Sequence, residues 1–285
     1  MKSSVFFKHD ALLGEGIHWD KNNKLIWFVD IHSKRLNSLT LDKKISTYEL
    51  DQKIGWVITI RSKKCLMVGM SDGIAVFDPH KNKIVGWVNK FNENVNLRLN
   101  DAKADKNGNI WGGVLNDLDE TKDDGYFYLM KSKGEFSVIE ENYLVPNGPI
   151  IVHEENYILH TDSAKKIIFK YEVDFNNFYI QKRSIFKKFN DNEGYPDGMT
   201  IDSEGNIYVA MWGEGKIRKL NSNGNEISNV QLPAQNITNV CFCGEYLNRL
   251  IVTSAKSNDQ DEIGGSIFEI SDHGSTGLNP YQASI

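Results

Sequence analysis

Apolar residues along this chain come in short runs that break at Gly, Asn or Asp before they reach helical length. KLIWFVDI, CLMVGMSDGIAVFD, NIWGGVL, GYFYLMK, YILHTD, IIFKYEVD, NIYVAMW, LIVTSA and SIFEIS are such runs. They are rich in β-branched and aromatic side chains, which suit a pleated surface. No long stretch carries apolar residues at i, i+3, i+4 and i+7, so helices are expected to be nearly absent. The polar segments DKNN, DKNGN, DSEGN and NSNGN separate the runs. Asn-Gly and Glu-Gly-Asn between strands are strong hairpin signals.

The runs also repeat. WDKNNKLIWFVDI, ADKNGNIWGGVL, HEENYILHTD and IDSEGNIYVAMW share a polar turn followed by a strand that ends near a small or acidic residue. RSKKCLMVGMSDG and GEYLNRLIVTSA are weaker copies. These anchors recur every ~40–50 residues, the period of a four-stranded propeller blade. A further strand follows each one: RLNSLTL, GIAVFD, GYFYLMK, KIIFKYEV, KIRKLN and SIFEI. The pattern predicts an all-β chain, a six-bladed β-propeller with four-stranded blades, as one domain over residues 1–285. Ring closure removes exposed sheet edges, and it requires the segment near Ser4–Lys8 to pair with the last blade. A large sandwich does not predict such similar units, and a β-helix would repeat at a shorter period.

Composition narrows the partners. The formal charge is −5 with no basic block, which argues against nucleic acid. The opening MKSSVFFKHDALLGEG lacks the apolar core of a signal peptide. No apolar run approaches the ~18 residues of a membrane span. Cys65, Cys241 and Cys243 form no C-x-x-C pair, so reduced thiols and a cytoplasmic location are expected. Cys241 and Cys243 alternate within VCFCG and are expected to pack on one face of a strand.

Four islands carry the candidate chemistry: Glu15 in LGEGIHWD, Arg98, Asn100 and Asp101 in RLND, Asn147 in PNG, and Asp197 in PDG. Each sets an oxygen-bearing side chain beside a glycine or another tight-turn residue. Each lies shortly before the turn of its repeat, so a ring would bring equivalent positions toward one axis. A carboxylate, two amides and a second carboxylate suit a hard cation such as Ca²⁺, Mg²⁺ or Mn²⁺. Zn²⁺ also accepts carboxylates, but its usual His and Cys ligands are missing from the islands. Taken singly, Asp-Gly and Asn-Gly are ordinary turn dipeptides. Glu15 alone reads as a loop acid, Arg98 as a surface cation or a partner for Asp101, and Asp101, Asp105 and Asp202 as turn holders. No G-x-S-x-G elbow occurs, and His153 and His160 read as blade packing or surface.

These stretches resemble the SMP-30/gluconolactonase/regucalcin-like family. The resemblance rests on LGEGIHWD with FVDI, RLNDAKADKNGNIWGG, GYFYLM, PNGPI with HTDS, YPDGMTIDSEGNIYVAMWGEGKIRKLNSNG, LPAQNITNVCFCGEYLNRLIVTSA and GGSIFEI, in family order. It implies a six-bladed propeller with one divalent cation on its axis, ligated by Glu15, Asn147 and Asp197. Ca²⁺ comes first, with Zn²⁺, Mg²⁺ or Mn²⁺ as alternatives. Arg98 and Asn100 are implied to face substrate. Asp117 is the nearest candidate for the acidic residue that touches sugar hydroxyls. The implied activity is metal-dependent hydrolysis of a sugar lactone to the aldonic acid, with Asp197 as general base as well as ligand and Glu15 as its competitor. The expected partner is a small sugar lactone, with no nucleic acid or membrane, and the expected state is a monomer or weak dimer. Alternatives are a related phosphotriesterase or other lactonase, and a non-catalytic calcium-binding propeller. Three departures stand out: Ile17 and His18 after GEG, Pro149 after Asn147-Gly148, and Phe242-Cys243-Gly244 for the usual FGG. None removes an implied ligand. Ile17 and His18 are expected to bear on the pocket wall, with His18 read first as packing. The loops NDLDETKDD and FNENVN are expected to decide the substrate.

Overall fold

The computed structural model describes residues 1–91 and 96–285, and most of the FNENVN loop lies outside the described residues. Six four-stranded antiparallel sheets form the molecule, five of them runs of consecutive strands. Their innermost strands are Gly14–Asp20, Ile54–Thr59, Leu97–Ala104, Pro146–Val152, Tyr195–Ile201 and Asn236–Cys243, which head blades 1 to 6. Blade 6 takes its outermost strand from the other end of the chain. Lys2–Phe7 pairs antiparallel with Ile267–Ser271, Ser4 facing Glu269 and Val5 facing Phe268. The expected six-bladed ring and its closure are therefore both present. Among the described residues no helix is long and apolar enough to cross a membrane.

DKNN, DKNGN and DSEGN are turns between the first and second strands of their blades, and NSNGN is the turn between the third and fourth strands of blade 5. Asp105 holds one of them by accepting from the backbone N–H of Asn107 (2.8 Å) and Asn109 (3.0 Å) and from Trp111 Nε1 (3.1 Å). Asp202 does the same for Glu204 and Asn206 at 3.0 and 2.8 Å. The outermost strands, such as Tyr179–Lys188 and Glu226–Gln231, are largely exposed. They carry little apolar periodicity and are held by their ladders. Lysines along Tyr179–Lys188 protect that open edge. Apolar faces pack between neighbouring blades, as where Trp111 and Phe127 meet Ile158 and Tyr171.

The innermost strands share a defect that positions the site. Every one carries a register shift: between Glu15 and His18, Ile54 and Trp56, Leu99 and Ala102, Asn147 and Ile150, Pro196 and Met199, and Ile237 and Asn239. A bulge leaves residues outside the ladder and re-aims their side chains. The islands read as turns are thus bulged strands. Glycine is needed where these strands converge. Gly148 has φ +43, and a Cβ there would stand 2.8 Å from Met199 N. A Cβ on Gly198 would lie 2.2 Å from Asn239 Cγ.

The last residues cross the lower face of the ring. Gly277 bridges Asp202 of blade 5 and Ala283 bridges Ile60 of blade 2. Ser284 N donates to Gly108 O of blade 3 at 3.0 Å. This strap ties non-adjacent blades and covers one end of the central channel.

Candidate functional site

At the other end of the channel a cavity of about 440 Å³ is lined by Glu15, Arg98, Asn100, Asn147 and Asp197. Residues from blades 1, 3, 4 and 5 therefore meet in one space, within the size range of small-molecule sites. Its wall also includes His32, Tyr195, Trp212 and Ser163, with Glu120 and Thr121 from the NDLDETKDD loop.

Side-chain hydrogen bonds knit the floor together. Glu15 Oε2 accepts from its neighbour Gly16 N at 2.9 Å and from Asn239 Nδ2 at 3.0 Å. Asn239 Nδ2 also reaches Asp101 Oδ2 at 3.1 Å, and Gly148 N donates to the same oxygen at 3.0 Å. Asp101 Oδ1 accepts from Ala102 N at 2.8 Å. Asp101 is therefore not a turn holder. It stands at the bulge of blade 3 and braces blades 4 and 6. Asn100 Nδ2 donates to Asn147 Oδ1 at 2.8 Å and to Pro146 O at 2.9 Å. Asn147 Nδ2 donates to Ser163 Oγ at 3.0 Å.

Arg98 is 4% exposed and held in a fork. Its Nη1 donates to Asn100 Oδ1 at 2.6 Å, and its Nε to Asp117 Oδ1 at 2.6 Å. Lys53 Nζ donates to the other Asp117 oxygen at 2.7 Å. Burial pushes the Asp117 carboxyl upward, but the hydrogen bonds and charges of Lys53 and Arg98 outweigh it and hold the carboxyl below the usual range. Asp117 is the carboxylate partner of Arg98, the place the sequence reading offered to Asp101. It stands behind the guanidinium rather than among the residues that line the cavity.

Two acids in this floor are electrostatically frustrated. Burial, then the nearby Asp101 charge, push the Glu15 carboxyl up to about 7 against the hydrogen bonds from Asn239 and Gly16. Burial, then the charges of Glu15 and Asp101, hold Asp197 well above the ordinary carboxylate value. Asp197 Oδ1 is buried with no hydrogen-bond partner. A buried polar atom without a partner is costly, and two neighbouring carboxylates out of water more so. A hard dication between them removes both penalties, so the donor set fits one. Among the described residues no three His, Cys, Asp or Glu side chains gather as a ligand group. The expected set is two carboxylates and an amide, which is not such a group.

The departures from the family pattern fall elsewhere. Ile17, His18 and Pro149 line a second cavity on the opposite side of the bulges, so Ile17 and His18 do not form the wall of the acidic cavity. His18 is buried and its Nε2 lies 3.0 Å from Thr59 Oγ1. His160 stacks on Phe127 with centroids 4.0 Å apart, and His153 lies 4.0 Å from Phe175. Both are packing residues, as read. Cys241 and Cys243 are free thiols buried in one cluster. Asn239, Ser163, His32, Tyr195 and Trp212 were not singled out in the sequence. Asn239 had a findable signal, because it stands at the register shift of blade 6, as Asn147 and Asp197 stand at those of blades 4 and 5. It lacks the adjacent glycine that marks the others.

The sequence profile of the SMP-30/Gluconolactonase/LRE-like region matches residues 13–256. An uncharacterized protein of Sulfolobus acidocaldarius is 30% identical over 92% of this chain and 93% of its own length. A pentonolactonase of Haloferax volcanii is 24% identical over 96% of this chain and 95% of its own length. The crystal structure of regucalcin from Agrobacterium tumefaciens, described as a calcium-binding protein, superposes with a TM-score of 0.91 at 22% identity, covering 100% of this chain and 98% of that one. With a profile match running from blade 1 into blade 6, the chain belongs to the SMP-30/gluconolactonase/LRE-like family.

Proposed function

We propose that this chain opens a sugar lactone to its aldonic acid, using one divalent cation held by Glu15, Asn147 and Asp197. The observation that carries the reading is the partnerless buried oxygen of Asp197 beside Glu15, in the cavity that Arg98 and Asn100 also line. Family membership supports lactone hydrolysis, and the Haloferax pentonolactonase supports an aldonolactone as substrate class. The regucalcin likeness and the all-oxygen donors support Ca²⁺ ahead of Zn²⁺, Mg²⁺ or Mn²⁺.

Bound there, the cation supplies Lewis-acid polarisation of the lactone carbonyl and stabilises the charge that develops on its oxygen. Asp197 would serve the cation through one carboxylate oxygen and accept a proton from the attacking water on the other. Glu15 is the poorer base, since one of its oxygens already accepts two hydrogen bonds. The new C–O bond forms from water to the carbonyl carbon and the ring ester bond breaks. The departing ring oxygen then takes the proton from Asp197 and leaves as a hydroxyl. Arg98, fixed by Asp117 and Asn100, presents a planar set of donors that orients the sugar hydroxyls. Asn147 is an amide, does not titrate, and serves only as a ligand.

The test is acid release from a panel of aldonolactones, first in EDTA and then with Ca²⁺, Mg²⁺, Mn²⁺ or Zn²⁺ restored. Turnover that returns with a cation is expected, and no metal-dependent turnover on any aldonolactone would refute the reading. Asp197→Ala should abolish turnover with an unchanged circular dichroism spectrum. A near-native rate in that variant would remove Asp197 as base.

A further inference from the structure

The second cavity, of about 120 Å³, lies at the strap-covered end of the channel. It is lined by the same innermost strands, beyond their bulges, so the acidic floor separates it from the upper cavity. Its walls are mostly apolar: Ile17, Ile150, Met199 and Val240 from the strands, Leu278 and Pro280 from the strap. One cation faces this space. Lys103 follows the bulge of blade 3, and its charge acts on Glu15 and His18 of blade 1 and Cys241 of blade 6. Lys103 is half-buried and lines this cavity. Among the described residues no carboxylate lies within 4.0 Å of Lys103 Nζ. Glu154 lines the cavity too, but it is exposed at the mouth.

His18 adds a neutral donor. Thr59 N donates to His18 Nε2 at 3.4 Å, so Nε2 carries a lone pair and the ring proton resides on Nδ1. Burial pushes this imidazole down to about 3, which keeps the ring neutral at physiological pH. Thr200 also lines the cavity. The half-buried ammonium of Lys103 has no ion-pair partner among the described residues and is open to an anionic head group, while Met199, Ile150 and Val240 line the space for an apolar body.

We propose that this lower cavity is a binding site for a small carboxylate with a short apolar body, separate from the lactone cavity. Lys103 receives the carboxylate, His18 Nδ1–H and the Thr200 hydroxyl supply neutral donors, and the strap from Leu278 to Tyr281 forms the outer wall. The strap is itself anchored, with Gln282 Nε2 donating to Thr59 Oγ1 at 3.3 Å and Tyr281 set edge-on to His153. The ligand therefore meets a preformed wall.

The experiment is a butyrate titration of the full chain labelled with ¹³C at the methionine methyls, in EDTA so that no divalent cation can capture a carboxylate above. Met199 lines the lower cavity, whereas Met130 is buried in the core between blades 2 and 3. A saturable shift of the Met199 resonance with Met130 unmoved is expected. Lys103→Met should weaken binding at least tenfold and Lys103→Arg should largely restore it, while Asp197→Asn should leave it unchanged. 1-Butanol and inorganic phosphate should each bind at least tenfold more weakly than butyrate. The proposal is overturned by the absence of a saturable Met199 shift, by equal binding in Lys103→Met, or by loss of binding in Asp197→Asn. Phosphate binding as tight as butyrate would also overturn it.

Discussion

Glu15→Gln should stabilise the metal-free protein while destroying its response to a divalent cation. Glu15 is 6% exposed, and burial with the Asp101 charge pushes its carboxyl from 4.5 to about 7. A folded value above the unfolded one means that ionisation opposes folding. The penalty is absent below the unfolded value, grows as pH rises, and is complete once pH exceeds about 7. At about 1.4 kcal/mol per pH unit it amounts to roughly 3 kcal/mol at pH 8. A glutamine oxygen can still accept from Gly16 N and Asn239 Nδ2, so the bonds that hold position 15 survive. Urea unfolding followed by circular dichroism in EDTA reads the effect. The variant should exceed the parent by about 3 kcal/mol at pH 8 and by little at pH 4.5. Calcium at about a hundred times its Kd should then add about 3 kcal/mol to the parent and far less to the variant. A variant that is no more stable than the parent at pH 8 in EDTA, or a gap that ignores pH, would refute the reasoning.

Asp117→Asn removes the carboxylate behind Arg98 while sparing every proposed ligand. It should lower kcat/KM for the lactone at least tenfold and leave calcium affinity, measured by calorimetry, unchanged; a parallel loss of calcium binding would contradict a positioning role. Gly198→Ala drives a Cβ to 2.2 Å from Asn239 Cγ, an overpacking that should cost about 1–3 kcal/mol and weaken calcium binding through Asn239. Wild-type affinity and stability in that variant would show that the innermost strands give way easily. His160 has neither ring nitrogen hydrogen-bonded, and burial pushes it down to about 3. Its folded value lies below the unfolded one near 6.5, so its stability contribution is complete above 6.5 and declines as pH falls toward 3. The decline is up to about 1.4 kcal/mol per pH unit. His160→Leu should flatten the stability–pH curve in that window, and an unchanged slope would count against the buried neutral ring.

Much of the architecture was legible because its signals are local. Turn residues such as those in DKNGN and DSEGN lie within a few positions of the apolar run that follows, and their recurrence is enough to count blades. Glu15, Arg98, Asn100, Asn147 and Asp197 were legible for the same reason, since most stand beside a glycine that their bulge or close approach requires. The outermost strands left little trace, because a strand with one solvated face and one ladder needs no strong apolar pattern.

Tertiary structure alone decided which way each side chain points. In a strand a one-residue shift sends a side chain to the opposite face, and each innermost strand contains such a shift. Asp101 and Asp105 look alike in sequence, yet one braces the channel and the other holds a turn. Glu15 and His18 are three residues apart and line cavities at opposite ends of the ring. Asn239 reaches Glu15 and Asp101 from blade 6 because ring closure makes distant residues neighbours. The sequence by itself determined the repeat count and the chemistry on offer; the register of each bulge and the closure of the ring determined which of those groups share a cavity.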